Sequence, residues 1–157
     1  MKRYTYRKPD NLVDLFESAV ERFGGNKLFG CKSADGKSLN WSTYREIGRR
    51  VDNLRAGLAD LGVDKGDAVG LIANNRPEWA VAAFATYGRG AWFVPMYEAE
   101  LTKTWHYIIA DSGVKVLFVS NRDVYDKVKN FPKEIKTLEK IIIIDDDGTD
   151  SMSALEK

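Results

Sequence analysis

The sequence predicts an α/β fold: a mostly parallel sheet with helices on both faces, plus an N-terminal β-hairpin. Three observations predict it. From residue 68 onward, apolar strand-like runs alternate with stretches of helical spacing, in the order strand, helix, strand, helix, strand, helix, strand. The runs at 68–73 and 141–144 carry no polar side chain, as expected of strands buried on both faces. Near the start, an Asp-Gly pair separates two short runs, the local signature of a hairpin.

The elements follow in order. Residues 1–10 read as an extended lead-in. Leu12, Leu15, Phe16, Ala19, Val20 and Phe23 recur at helical spacing, with Asp10 or Asn11 placed to cap that helix and Gly24-Gly25 to end it. Residues 28–33 and 37–41 flank Ala34-Asp35-Gly36, giving the hairpin, expected as an addition at the sheet edge. Tyr44, Ile47, Val51, Leu54, Leu58 and Leu61 fall at alternating steps of three and four and make one apolar stripe. Thr43 and Glu46 have capping-box spacing. Gly62 stands where a left-handed C-terminal cap belongs, with Val63 just beyond it.

Lys65-Gly66-Asp67 reads as a turn into the strand at 68–73. Pro77 suits a first helical turn, where the missing donor has no intrahelical partner, and Glu78 suits the positive end of the helix dipole. Residues 79–87 are apolar almost all round, so this helix is expected to be buried on most sides. Gly88 and Gly90 close it. The run 91–96 reads as a strand whose Pro95 fits only an edge or a strand end. Leu101, Trp105, Ile108 and Ile109 mark another helix, ended by Ser112-Gly113. A strand at 114–119, a short helix or turn at 123–130 and the strand at 141–144 complete the alternation. Residues 145–153 read as polar and turn-like, and 145–157 as a polar tail.

Composition sets the class. A length of 157 residues fits one domain. With 24 basic and 23 acidic residues the net charge is +1, which excludes a nucleic-acid binder working by bulk charge. A single cysteine, Cys31, excludes intrachain disulfides and multi-cysteine zinc sites; it is expected as a small buried hydrophobe. Apolar runs such as 80–85 are far short of the roughly 20 residues that span a bilayer. The basic N-terminus is followed by no apolar signal core. The expected location is cytoplasmic, with peripheral membrane contact left open.

Several familiar sites have no basis in the sequence. No GxGxxG follows a strand and no GxxxxGK[ST] is present. The lone histidine, His106, lies beside an apolar stripe with no GxSxG elbow to serve, and is expected to be structural. Asp145-Asp-Asp-Gly148 at a strand's carboxyl end reads either as a solvated acidic loop or as a place for Mg²⁺.

Four stretches together resemble the N-terminal part of the AMP-forming acyl-CoA synthetases, in the adenylate-forming (AMP-binding) superfamily. The first is Trp41-Ser-Thr-Tyr-Arg-Glu-Ile47, running into Val51-Asp-Asn-Leu-Arg-Ala-Gly-Leu58 and Leu61-Gly-Val-Asp-Lys-Gly-Asp-Ala-Val69. The others are Asn75-Arg-Pro-Glu-Trp79, Gly90-Ala-Trp-Phe-Val-Pro-Met-Tyr97 and Ile108-Ile-Ala-Asp-Ser-Gly-Val-Lys-Val-Leu117. The resemblance covers roughly residues 10–145, and its Thr-Tyr-Arg-Glu-Ile and Val-Pro-Met-Tyr forms look most like the long-chain fatty acid branch. It implies a two-step ligase that uses ATP, Mg²⁺ and coenzyme A. A fatty acid becomes an acyl-adenylate with release of pyrophosphate, and coenzyme A then displaces AMP.

The family's Ser/Thr/Gly-rich phosphate loop and its catalytic-lysine domain have no counterpart here, so the chain reads as a partial AMP-binding domain, inactive alone. No catalytic residue and no metal ligand is assigned. The resemblance suggests Arg122, in Ser120-Asn-Arg-Asp123 and followed by Lys127 and Lys129, for the phosphates of coenzyme A, and Tyr97 for the acyl or coenzyme A channel. Two other readings compete with it: a self-standing noncatalytic α/β module, and a small nucleotide-binding or phospho-acceptor domain built on Asp145, Asp146 and Asp147. A fragment is expected to expose apolar surface and to self-associate through it.

Overall fold

The computed structural model describes residues 7–33 and 35–157. Residues 1–6 of the expected lead-in, and Ala34 in the hairpin turn, lie outside the described residues.

Helix α1, Leu12–Phe23, is capped by Asn11, whose Oδ1 accepts the Asp14 N–H at 2.9 Å. Its apolar side packs on later helices: Phe16 stacks on Phe84 at 4.2 Å, and Val20 sits so close to Gly48 that a Cβ there would be 2.7 Å away. Strands β1, Lys27–Lys32, and β2, Leu39–Thr43, form the expected antiparallel hairpin. The hairpin is a separate two-stranded sheet, which corrects the expected edge addition. The helix ends capture its backbone instead. The N–H groups of Tyr44 and Arg45 donate to the carbonyls of Asn26 and Gly24 at 3.1 and 3.0 Å, while Leu28 and Phe29 pack on the core. Cys31, expected to be buried, is exposed, because only the proximal half of β1 reaches the core.

Helix α2, Tyr44–Asp60, has the capping box read from its sequence: Thr43 Oγ1 accepts from the Glu46 N–H at 3.3 Å, and Glu46 Oε2 from the Thr43 N–H at 2.7 Å. It ends as its Gly62 indicated. Gly62 has φ +73°, and the N–H groups of Gly62 and Val63 return to the carbonyls of Ala59 and Leu58.

The main sheet runs β4-β3-β5-β6, every pair parallel, built from Trp92–Met96, Ala68–Ile72, Val114–Val119 and Lys140–Ile143. Strand alternation divides its side chains between two cores. Val69, Leu71, Val116, Phe118 and Ile142 face α1, α2 and helix α3, Pro77–Gly88. Ile72, Leu117, Val119, Ile141 and Ile143 face helix α4, Thr102–Asp111, helix α5, Arg122–Val128, and a 3₁₀ turn at Phe131–Lys133. Full burial of each such large side chain is worth about 1.5–3 kcal/mol, so these two layers carry the fold. Strand β4 is an edge strand, which accommodates Pro95.

The segment after β6 departs from expectation. Ser151 and Met152 are buried, and Met152–Leu155 forms a short helix, α6, on α2. The Ser151 hydroxyl accepts the Ala154 N–H at 3.1 Å, and the Ile143 N–H donates to the Asp150 carbonyl at 2.9 Å. A single apolar turn, Met152 and Leu155, is too short to register as a periodic pattern in a polar stretch.

Candidate functional site

In a parallel sheet all strand carboxyl ends open on one side, which is where ligands of open α/β sheets gather. Here that edge is formed by residues 73–76 after β3, 97–98 after β4, 120–122 after β5 and 144–146 after β6. Backbone bonds stitch these turns together. The Ser120 N–H donates to the Ile72 carbonyl at 3.0 Å, the Asp145 N–H to the Ser120 carbonyl at 2.9 Å, and the Asn74 N–H to Glu98 Oε1 at 3.0 Å.

The charges at the edge are mostly paired. Arg76 binds Asp145 through both terminal nitrogens, at 3.0 and 2.6 Å, and Glu78 through Nε at 2.8 Å. The hydrogen bonds to Asp145, opposed by burial and reinforced by Glu78, raise the Arg76 pKa. Asp146 accepts from the N–H groups of Gly148 and Asp147 and from Arg122; these bonds, the Gly148 N–H foremost, hold its carboxyl below the usual carboxylate range despite some desolvation. The carboxylates of Asp145 and Asp146 are thus divided between two arginines and the backbone. Among the described residues, no group of three or more His, Cys, Asp or Glu is placed to hold a metal ion.

The two residues singled out in the sequence both lie at this edge. Arg122 opens α5 behind the Asn121 cap, whose Oδ1 accepts the Val124 N–H. Its side chain is 61% exposed, with Nη2 on Asp146 Oδ2 at 2.5 Å and the guanidinium over the Tyr125 ring at 5.2 Å. Tyr97 follows β4 and is 70% exposed; its carbonyl accepts the Trp105 indole N–H at 2.9 Å. Tyr97 also lines a cavity of about 170 Å³ with Asn75, Trp79 and Pro95. Strand β3 separates the strands that carry the two, so the structure sets them at one end of the sheet without joining them in one pocket. Lys129 pairs with Asp126 and Lys127 lies over Trp105. His106 contacts Glu134 at 3.1 Å and meets the Phe131 ring edge-on, in keeping with a structural role.

Two larger hollows flank the sheet. A groove of about 780 Å³ runs between the start of α1, the end of α3 and β4, lined by Leu12, Val13, Tyr87, Trp92 and Phe93 among others. A second, of about 450 Å³, lies between the hairpin at Phe29, Gly30 and Cys31 and the start of α3 at Arg76, Pro77 and Trp79. Sequence reading missed the pairing roles of Arg50, Arg76, Glu78 and Glu156. The stretch from Arg76 to Glu78 was legible only as a helix start, because partners 28 and 69 residues away leave no local spacing.

Comparison with known proteins agrees with this architecture. The profile of the family described as AMP-binding enzyme matches residues 16–157. Long chain acyl-CoA synthetase 3 of Arabidopsis thaliana is 31% identical over 140 residues, which cover 85% of this chain and 21% of that protein. Fatty acyl-CoA synthetase A of Dictyostelium discoideum is 31% identical over 136 residues, covering 83% of this chain and 20% of that protein. The solved long-chain-fatty-acid-CoA ligase of Archaeoglobus fulgidus superposes with a TM-score of 0.79 at 22% identity, over 97% of this chain and 30% of that one. An anthranilate CoA ligase in complex with anthranoyl-AMP superposes with a TM-score of 0.81 at 22% identity, over 96% of this chain and 28% of that one. These two structures share the fold. The chain spans about a fifth of the length of the curated relatives it matches.

Proposed function

The chain belongs to the AMP-binding enzyme family, and from that premise we propose that it is the N-terminal part of an ATP-dependent fatty acid CoA ligase of the long-chain branch. The reaction joins a fatty acid to AMP with release of pyrophosphate, and then passes the acyl group to coenzyme A. The observation that carries the reading is the 31% identity to a long chain acyl-CoA synthetase over 85% of this chain. The parallel sheet, which superposes on acyl-CoA ligases, supports it.

Arg50 and Arg76, as they stand, do not fit a triphosphate. The guanidiniums of Arg50 and Arg76 are already bonded to Glu78, Glu156 and Asp145, and no carboxylate cluster of metal-binding size is present among the described residues. No step through ATP or Mg²⁺ is therefore assigned to these residues. Arg122 does fit a phosphate of coenzyme A, since its planar fork is exposed and held by one carboxylate. Tyr97 is assigned to the same channel or to the acyl channel. In this reading the chain supplies framework and one binding edge, is inactive alone, and works in the cytoplasm.

The purified 157-residue chain, given ATP, Mg²⁺ and palmitate, is expected to release no pyrophosphate above an enzyme-free control. Release above that control would overturn the assignment of catalysis to other polypeptide. A folded chimera carrying this chain in place of the matching segment of the Arabidopsis relative is expected to release pyrophosphate and form palmitoyl-CoA. A folded but inactive chimera would overturn the ligase reading.

A further inference from the structure

Five charged side chains, far apart in sequence, form one continuous relay on the α2–α3 side of the sheet. Asp145, just after β6, is bound by Arg76. Arg76 Nε reaches Glu78 Oε2 at 2.8 Å, and the other oxygen of Glu78, Oε1, takes Arg50 Nη1 at 3.0 Å. Arg50 then binds Glu156 through Nε and Nη2, at 2.9 and 3.0 Å. Asn53 Nδ2 adds a bond to the Glu156 carbonyl at 2.6 Å. The two ends of the segment 145–156 are thus held by two arginines that share a single carboxylate. The side chains of Glu78 and Glu156 are only 18% and 13% exposed, so water screens their bonds less than it screens surface pairs, whereas Asp145 at the other end is 52% exposed.

We propose that Glu78 is the keystone of a latch that holds residues 145–156 closed on the α2–α3 face, and that removing its charge opens this segment while the sheet stays folded. The geometry separates the two outcomes. The main sheet is held by apolar layers on both faces, whereas the segment inserts only Met152 and part of Leu155 into the core and is otherwise fastened by polar bonds, among them Arg122 to Asp146, Lys140 to Asp150 and the Ile143 N–H to the Asp150 carbonyl. With Glu78 neutral, Arg50 and Arg76 face each other across an uncharged group, and their mutual repulsion acts on the two ends of the segment they hold. The inference stands independently of the family assignment.

Hydrogen exchange on the full 157-residue chain tests it. In Glu78→Gln the amides of Ser151, Ala154 and Glu156, each bonded within the segment, are expected to exchange about tenfold faster, with the β3 and β5 amides of Gly70 and Leu117 unchanged. Unchanged exchange at 151–156 overturns the latch. So does equal acceleration in β3 and β5, which would reduce the relay to general stability. Should Glu78→Gln fail to fold, Glu156→Gln, at the far end of the relay, decides by the same two readings.

Discussion

A missing methyl group decides how α6 sits. A Cβ at Gly57 would stand 2.5 Å from the Leu155 carbonyl oxygen and 3.1 Å from the Leu155 Cβ. Alanine is favoured over glycine in a helix interior by about 1 kcal/mol. Overlap with backbone cannot be relieved by a rotamer change and costs about 1–3 kcal/mol. Gly57→Ala is therefore expected to lose up to about 2 kcal/mol net, read as a lower urea midpoint, with α6 displaced; a raised midpoint would show that α6 yields freely. Gly62 offers a contrast, since a Cβ there would meet Lys115 Nζ only at an ordinary 3.8 Å and the cost is conformational, at φ +73°. Glu78 is the residue-scale pH sensor. Burial pushes its carboxyl up, but hydrogen bonds from Arg76, from its own N–H and from Arg50 outweigh that and hold it below the ordinary 4.5. A depressed carboxylate contributes stability in full above its unfolded value and loses it as pH falls through the folded one. The exchange protection of the Ser151 and Ala154 amides in the native chain is thus expected to fall below about pH 4.5 toward that of Glu78→Gln, with β3 and β5 protection unmoved; protection at 151–154 that ignores pH would remove Glu78 from the acid response.

At the scale of elements, caps and edges set the limits. The Thr43 hydroxyl is the N-cap of the 17-residue α2, and Thr43→Ala is expected to cost about 1 kcal/mol by denaturant unfolding. Strand β4 leaves one side of its backbone unpaired. The Trp92 N–H points inward to the Asp67 carbonyl, so by alternation the outward positions are Phe93 and Pro95. Pro95 removes the donor at the middle of that open edge, a recognised way of discouraging strand addition. Pro95→Val is expected to restore a donor and increase concentration-dependent association, measured by sedimentation velocity. The sequence announced the elements with strong local chemistry. Asn11, the Thr43–Glu46 box, Gly62, Pro77 and the β-branched runs each act within a few residues, and each appears where its spacing put it. Helix α6 was not legible, because one apolar turn carries no period and its stability comes from burial against Gly57 and α2.

Across the whole molecule, exposed apolar side chains stand on the hairpin (Leu39, Trp41), around α4 (Tyr97, Leu101, Tyr107) and beside the groove between α1, α3 and β4. Leu12 and Trp92, 53% and 69% exposed, line that groove. Contiguous apolar patches of this kind favour association. The isolated chain is expected to elute from size-exclusion chromatography as a concentration-dependent oligomer, and Trp92→Arg to shift it toward monomer. A monomer at all concentrations would show that this surface is tolerated in water.

By itself the sequence determined the alternating α/β layout and the two-sided burial of the central strands, because periodicity and caps act over a few residues, and four of its stretches carried the family resemblance. The tertiary structure alone decided the detached hairpin, the exposure of Cys31, the separation of Tyr97 from Arg122 by β3, and the relay through Glu78. These depend on which distant side chains meet once the layers close. Coulomb and packing forces between groups 28 to 106 residues apart leave no trace in local spacing.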